Sequence, residues 1–175
     1  MKRTRDELGL DAIDRRILAI LQDDCKTPLS KIGDEVGLSA PSVVDRVRRL
    51  ESEGFVLGYH ARLDARRLGM DVTAFIGVMV RLPSGIDRVE RALPDLGDVL
   101  ECHHVTGSHT LLLKVKTRNT ASLEALISRL RSIEGVERTE TNVVLSTRVE
   151  RAGLTVAEAQ SSTTPAPGRQ APAEA

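Results

Sequence analysis

The side chains best suited to chemistry lie in one stretch, Leu38-Ser-Ala-Pro-Ser-Val-Val-Asp-Arg-Val-Arg-Arg-Leu50. Ser39 reads as a helix cap whose hydroxyl accepts from an orphan amide of the first turn, and Pro41 stands where a missing N–H costs least. Along the helix that follows, Val43, Val47 and Leu50 recur at i, i+4 and i+7 as a core stripe, while Ser42, Asp45, Arg46 and Arg49 share another face. Guanidinium groups donate to phosphate or, bidentately, to guanine, which makes Arg46 and Arg49 candidate DNA contacts. Ser39, Ser42 and the helix N-terminus suit phosphate or base edges, and Arg48 points toward the flanking backbone. Asp45 repels phosphate; it pairs with an arginine, accepts from a cytosine amino group, or faces out. The bland alternative is that three arginines merely solvate a helix. The turn, cap and wing around them favour double-stranded DNA as the partner.

A second group, Cys102, His103, His104 and His109, invites a metal reading. Adjacent strand residues point to opposite faces, so His103 does not readily join Cys102 and His104 at one ion, and no metal is expected. The plainer account puts Cys102 in the core and the imidazoles at a strand edge or subunit contact. No nucleophile elbow, phosphate loop, zinc signature or dinucleotide fingerprint occurs in the chain, so the reading is a non-enzyme without a cofactor.

The elements that position the first group are short helices. Asp11 caps a helix burying Ile13, Ile17, Ile20 and Leu21, with Asp14 near its positive end. Thr27 as cap and Pro28 as first residue start a second helix that buries Leu29, Ile32 and Val36 and stops at Gly37. The gap from Gly37 to Ser39 is the turn of a helix-turn-helix, and strand-like alternation from Gly54 to Asp64, ending near Leu63, predicts a wing. Residues 1–63 are thus a winged helix-turn-helix and 64–71 a linker. Residues 72–152 read βαββαβ, an α+β ferredoxin-like domain with both helices on one sheet face. Strands are expected near Val72 to Leu82, Val99 to Val105, Thr110 to Thr117 and Val136 to Val149. The helices are expected from about Ile86 to Leu96 and Thr120 to Ile133, the second capped at Asn119-Thr120 and burying Leu123, Leu126, Ile127 and Leu130. Residues 153–175 form a tail that, from Ser161 onward, lacks the large apolar side chains needed to repay its ordering entropy.

Composition agrees with this division. In 175 residues, 41% hydrophobic and 29% charged side chains suit one or two small packed domains. A net charge of zero means that nucleic acid must be held by local patches rather than bulk potential. Cys25 and Cys102 are isolated, as free thiols of a reducing cytosol would be, and neither a signal core nor a membrane-length apolar run is found. Strand residues Thr73-Ala-Phe-Ile-Gly-Val-Met-Val80 are apolar on both faces, and helices on one side leave the other face for a partner sheet.

The chain resembles the Lrp/AsnC (feast/famine) transcription factors over roughly residues 10–150. The resemblance is carried by Leu10-Asp-x-x-Asp14-x-x-Ile17-Leu18-x-x-Leu21, Val36-Gly-Leu-Ser39, Arg46-Val-x-Arg-Leu-Glu51, Gly54, Gly58-Tyr59, Leu68-Gly69 and Val99-x-Glu-Cys-x-x-Val105-Thr-Gly107. It implies a cytoplasmic, nucleoid-associated regulator, a homodimer assembling to a tetramer or octamer, with an amino-acid effector bound between C-terminal domains. The implied effector turn is Thr106, Gly107, Ser108, His109 and Thr110. Family members usually carry Gly-x-x-Asp there, whose carboxylate helps hold the ligand's α-amino group; here Thr110 takes that position. An amino acid held by another acceptor, a ligand lacking the ammonium, and a purely structural turn all stay open. The alternatives for the whole chain are an architectural DNA-wrapping protein indifferent to ligands and, more remotely, a regulatory module of an amino-acid-metabolising enzyme.

Overall fold

The computed structural model describes residues 9–156 apart from 82 and 152. Among the described residues the chain forms two compact units, the first made of residues 9–60 with the segment from Arg151 and the second of residues 61–150. It therefore leaves the first unit at His60 and re-enters it at Arg151. The tail predicted to be disordered from Ser161 lies outside the described residues. No helix among the described residues is long and apolar enough to cross a membrane.

In the N-terminal unit, α1 (Ala12–Asp23) starts with a reciprocal cap: the Asp14 amide donates to Asp11 Oδ1 at 2.8 Å and the Asp11 amide to Asp14 Oδ2 at 3.0 Å. Helix α2 (Leu29–Val36) begins one residue later than expected. Pro28 has an extended ψ of 138° and its carbonyl accepts from the Ile32 amide, so it is the cap rather than the first helical residue, and Thr27 plays no capping part. The helix ends at Gly37, and the chain then folds back so closely that a Cβ on Gly33 would lie 2.5 Å from the Leu38 carbonyl oxygen. Only glycine at 33 permits this tight turn. Helix α3 (Ala40–Ser52) opens on Ser39, whose hydroxyl accepts from the Ser42 amide. Ile17, Ile32, Val43 and Leu50 are fully enclosed where the three helices meet, each contributing about 1.5–3 kcal/mol by burial.

The predicted wing is not formed. No strand occurs among the described residues between α3 and the first strand of the second unit, and Leu57 and Leu63 are 95% and 68% exposed. A two-stranded hairpin needs another surface to cover its apolar side chains, and these two stay in solvent.

The C-terminal unit follows the predicted βαββαβ order: β1 (Val72–Val80), α4 (Pro83–Ala92), β2 (Val99–His104), β3 (Leu111–Thr117), α5 (Thr120–Ser132) and β4 (Val136–Val143). The strands lie in the order β2-β3-β1-β4, every neighbour antiparallel. Strand β4 stops well short of the predicted Val149, because its partner runs out: Val143 pairs with Ala74, and the Val144 amide makes the last bond, to Thr73 O. Helix α4 begins at Pro83 rather than near Ile86, proline being well suited to a first turn. Helix α5 begins as predicted at an Asn119 cap.

Alternation along the strands sorts the sheet into two faces. Ala74, Ile76, Val78, Leu111, Leu113 and Val115 are buried with Val89 of α4 and Leu123, Leu126 and Leu130 of α5. Thr73, Phe75, Gly77 and Met79 of β1 and Leu112, Lys114 and Lys116 of β3 alternate with them and occupy the face without helices.

Candidate nucleic-acid interface and effector turn

Helix α3 is held to α1 by charge. Asp14 is wholly buried although it is an acid; Arg46 Nη1 donates to it at 2.6 Å and to Asp11 at 2.9 Å. Arg49 Nη2 lies 2.6 Å from the other Asp14 oxygen, and Arg49 Nη1 reaches Glu53 at 3.3 Å. Burial alone would favour the neutral carboxyl, but the Asp11 amide and the guanidiniums of Arg49 and Arg46 outweigh it and hold Asp14 below the usual carboxylate range. One carboxylate thus caps α1 and fixes the rotation of α3.

This geometry separates residues that the sequence placed together. Arg46 and Arg49 fold back onto α1, each side chain only about a fifth exposed (22% and 23%), instead of projecting from a recognition face. The reason is the buried Asp14, whose charge requires partners. Ser39, Ser42, Asp45 and Arg48 remain exposed along one side of α3. The Ser39 and Ser42 hydroxyls are 2.9 Å apart at the helix N-terminus. The second task of Asp14 was missed, although a signal was present: Asp14, Ile17 and Leu21 recur at i, i+3 and i+7, so this acid sits on the buried stripe.

In the C-terminal unit, residues 105–110 join β2 to β3. Thr110 closes the turn: its amide donates to Val78 O, its carbonyl accepts from Val105, and its hydroxyl accepts from the Val80 amide at 3.1 Å. Thr106, Gly107 and Ser108 are exposed. The His109 ring lies flat against Gly77, where a Cβ would come within 2.3 Å of it, so glycine at this central strand position makes the floor for an imidazole. Its Nδ1 is 3.1 Å from Ser108 Oγ and its Nε2 is 3.3 Å from Glu140 of β4. Glu140 was not among the predicted site residues; it is opposite Gly77 in the β1–β4 register, a pairing that only the topology reveals. Of the cysteine and histidine group, Cys102 packs against the core, where burial pushes its thiol pKa up, while His103 turns to Glu101 at 3.2 Å.

Comparison with known proteins places both units. Residues 10–51 match the AsnC-type helix-turn-helix domain and residues 73–154 the Lrp/AsnC ligand-binding domain. The HTH-type transcriptional regulator FL11 of Pyrococcus horikoshii is 33% identical over 84% of this chain and 97% of its own length. Among solved structures, the feast or famine regulatory protein of Mycobacterium tuberculosis complexed with L-methionine is 34% identical, with a TM-score of 0.77 over 83% of this chain and 98% of that one. A transcriptional regulator of Neisseria meningitidis in complex with L-methionine gives a TM-score of 0.79 at 25% identity, covering 83% and 96% of the two chains.

Proposed function

Because the chain belongs to the Lrp/AsnC family of transcriptional regulators, we propose that it binds specific paired sites in DNA through α3 and adjusts that binding to a small ligand. The observation that carries the DNA reading is the division of labour on α3. Arg46 and Arg49 lock the helix to α1, and Ser39, Ser42 and Arg48 stay exposed to meet phosphates and base edges. Arg46 and Arg49 are accordingly assigned to positioning. Two half-sites need two copies, and the helix-free sheet face, with Phe75 and Leu112, is the surface on which a homodimer would form before any tetramer or octamer.

The effector reading centres on Thr106, Gly107, Ser108 and His109, with Thr110 as the closure of the turn. An amino acid is the favoured ligand class, since two similar regulators are solved with L-methionine. Its carboxylate suits the turn amides and the Ser108 hydroxyl. Its ammonium needs an acid, and Glu140, tied to the turn through His109, supplies the carboxylate that residue 110 lacks. Genes of amino-acid metabolism are then the expected targets. A second reading draws on the Thr110 hydroxyl, which is committed to the Val80 amide: a purely structural turn would leave a DNA-wrapping protein indifferent to ligands.

Fluorescence anisotropy on DNA from upstream of the chain's own gene, with scrambled competitor and a panel of the twenty amino acids, tests the proposal. Specific binding shifted by one amino acid, with the shift lost in Glu140→Gln, is the expected result. Specific binding that no amino acid shifts would replace the effector reading with the architectural one.

A further inference from the structure

A cleft of about 570 Å³ opens at one end of the helix-free sheet face, and all its lining belongs to the C-terminal unit. Its floor is Thr73 and Lys116. Its two walls are the two passages of chain that join this unit to the other: the segment from Arg62 to Asp71 on one side, and the segment from Val144 to Glu150 on the other.

The charges in the cleft are unequally occupied. Asp64 accepts from the amides of Arg66 and Arg67 at 3.0 and 3.3 Å and pairs with the Arg67 guanidinium at 3.6 Å. Glu150 is paired with Lys114 at 3.3 Å and Arg62 at 3.8 Å, and Lys114 above all holds its carboxyl below the usual range. Two of the three acids are therefore neutralised within the protein. Lys116 and Arg66 make no ion pair among the described residues, although Lys116 also acts on Glu150 at longer range, and Asp71 is the acid of this lining without an ion pair among those residues. Ser146 and Thr147, two residues that carry hydroxyls, line the cleft from the other segment.

We propose that this cleft is a second ligand site, distinct from the effector turn, that takes a small anionic metabolite through its carboxylate or phosphoryl group. Lys116 and Arg66 supply the charge and Ser146 and Thr147 the neutral donors; charge-assisted bonds of this kind are about twice as strong as neutral ones. A ligand bridging Arg66 and Ser146 ties together both connections between the units. It shifts DNA binding to the extent that it prefers one arrangement of them.

Calorimetric titration of the full chain with inorganic phosphate and, separately, with succinate tests the site. Saturable heat with at least one of them is expected, weakened about ten- to a hundredfold in Lys116→Gln and in the exposed-site variant Arg66→Gln. Hydrogen exchange should slow on both walls, residues 61–71 and 144–150, when that probe is bound. Which probe binds tells a phosphoryl from a carboxylate ligand. No saturable heat from either, or heat that both substitutions leave unchanged, overturns the proposal.

Discussion

Replacing Asp14 by alanine removes the carboxylate on which the N-terminal unit converges. It loses one half of the reciprocal cap on α1, about 1 kcal/mol. It also leaves two guanidiniums short of a partner. Breaking a buried pair costs about 3–5 kcal/mol, but here the loss is smaller, because Arg46 keeps Asp11, Arg49 keeps Glu53, and both keep about a fifth of their surface in solvent. Roughly 1–2 kcal/mol is the appropriate share. The sum is about 2–3 kcal/mol, or on the order of 10–20 °C in the melting temperature of so small a unit. The assay is a urea melt of the full chain followed by tyrosine emission, since Tyr59 is the one tyrosine, there is no tryptophan, and it lies in this unit. The pH dependence has a fixed sign. The folded Asp14 titrates below its ordinary value of 3.8, so its contribution is complete above about pH 4 and is lost as the pH falls through the folded value. The wild-type advantage should therefore be flat from about pH 5 to 8 and shrink in stronger acid. A difference below about 0.5 kcal/mol at pH 7 would refute the bracing role, that being the ordinary scatter of surface substitutions.

Three other perturbations probe neighbouring features. Gly33→Ala should destabilise the N-terminal unit by about 1–2 kcal/mol in the same melt, the clash with the Leu38 carbonyl outweighing alanine's better helix propensity; a stabilised variant would contradict the close approach. Arg48→Ala should weaken DNA binding and reduce the dependence of log affinity on log salt by about 1, leaving the urea midpoint unchanged; an unaltered slope would remove Arg48 from the phosphate contacts. The Tyr59 phenol, which donates to Glu51 at 2.7 Å, is pushed up to about 12 by burial and by that carboxylate. Spectrophotometric titration should place its midpoint near 12 and Glu51→Gln should bring it back toward 10.0, whereas a wild-type midpoint already at 10.0 would dissolve the contact.

The sequence was most informative where structure is local. Ser39, Asp11 and Asn119 each cap the helix their position implied, because capping depends on a side chain and an amide three residues apart. The βαββαβ order was equally legible, since strand alternation and helical stripes differ in period. What needed tertiary contacts was hidden. Strand β4 ends beside the start of β1, and no pattern within β4 carries that information. Arg46 and Arg49 turn inward because of Asp14, an acid on another helix far back in the chain, and Glu140 meets His109 only through the register of β4 on β1. The alternation from Gly54 to Asp64 suggested a wing, but alternation records a strand-like pattern without recording whether a partner exists.

On the proposed function, the exposed side of α3, repeated in two copies, reads a defined DNA sequence. Selection of bound fragments from a random duplex pool tests it most directly. The expected result is enrichment of a two-fold symmetric site with half-sites about one helical turn, or a whole multiple of it, apart, and loss of that enrichment in a Ser42→Ala, Arg48→Ala double variant that melts like the wild type. A pool that stays random under the wild-type protein, or a double variant that selects the same site with equal strength, would contradict it.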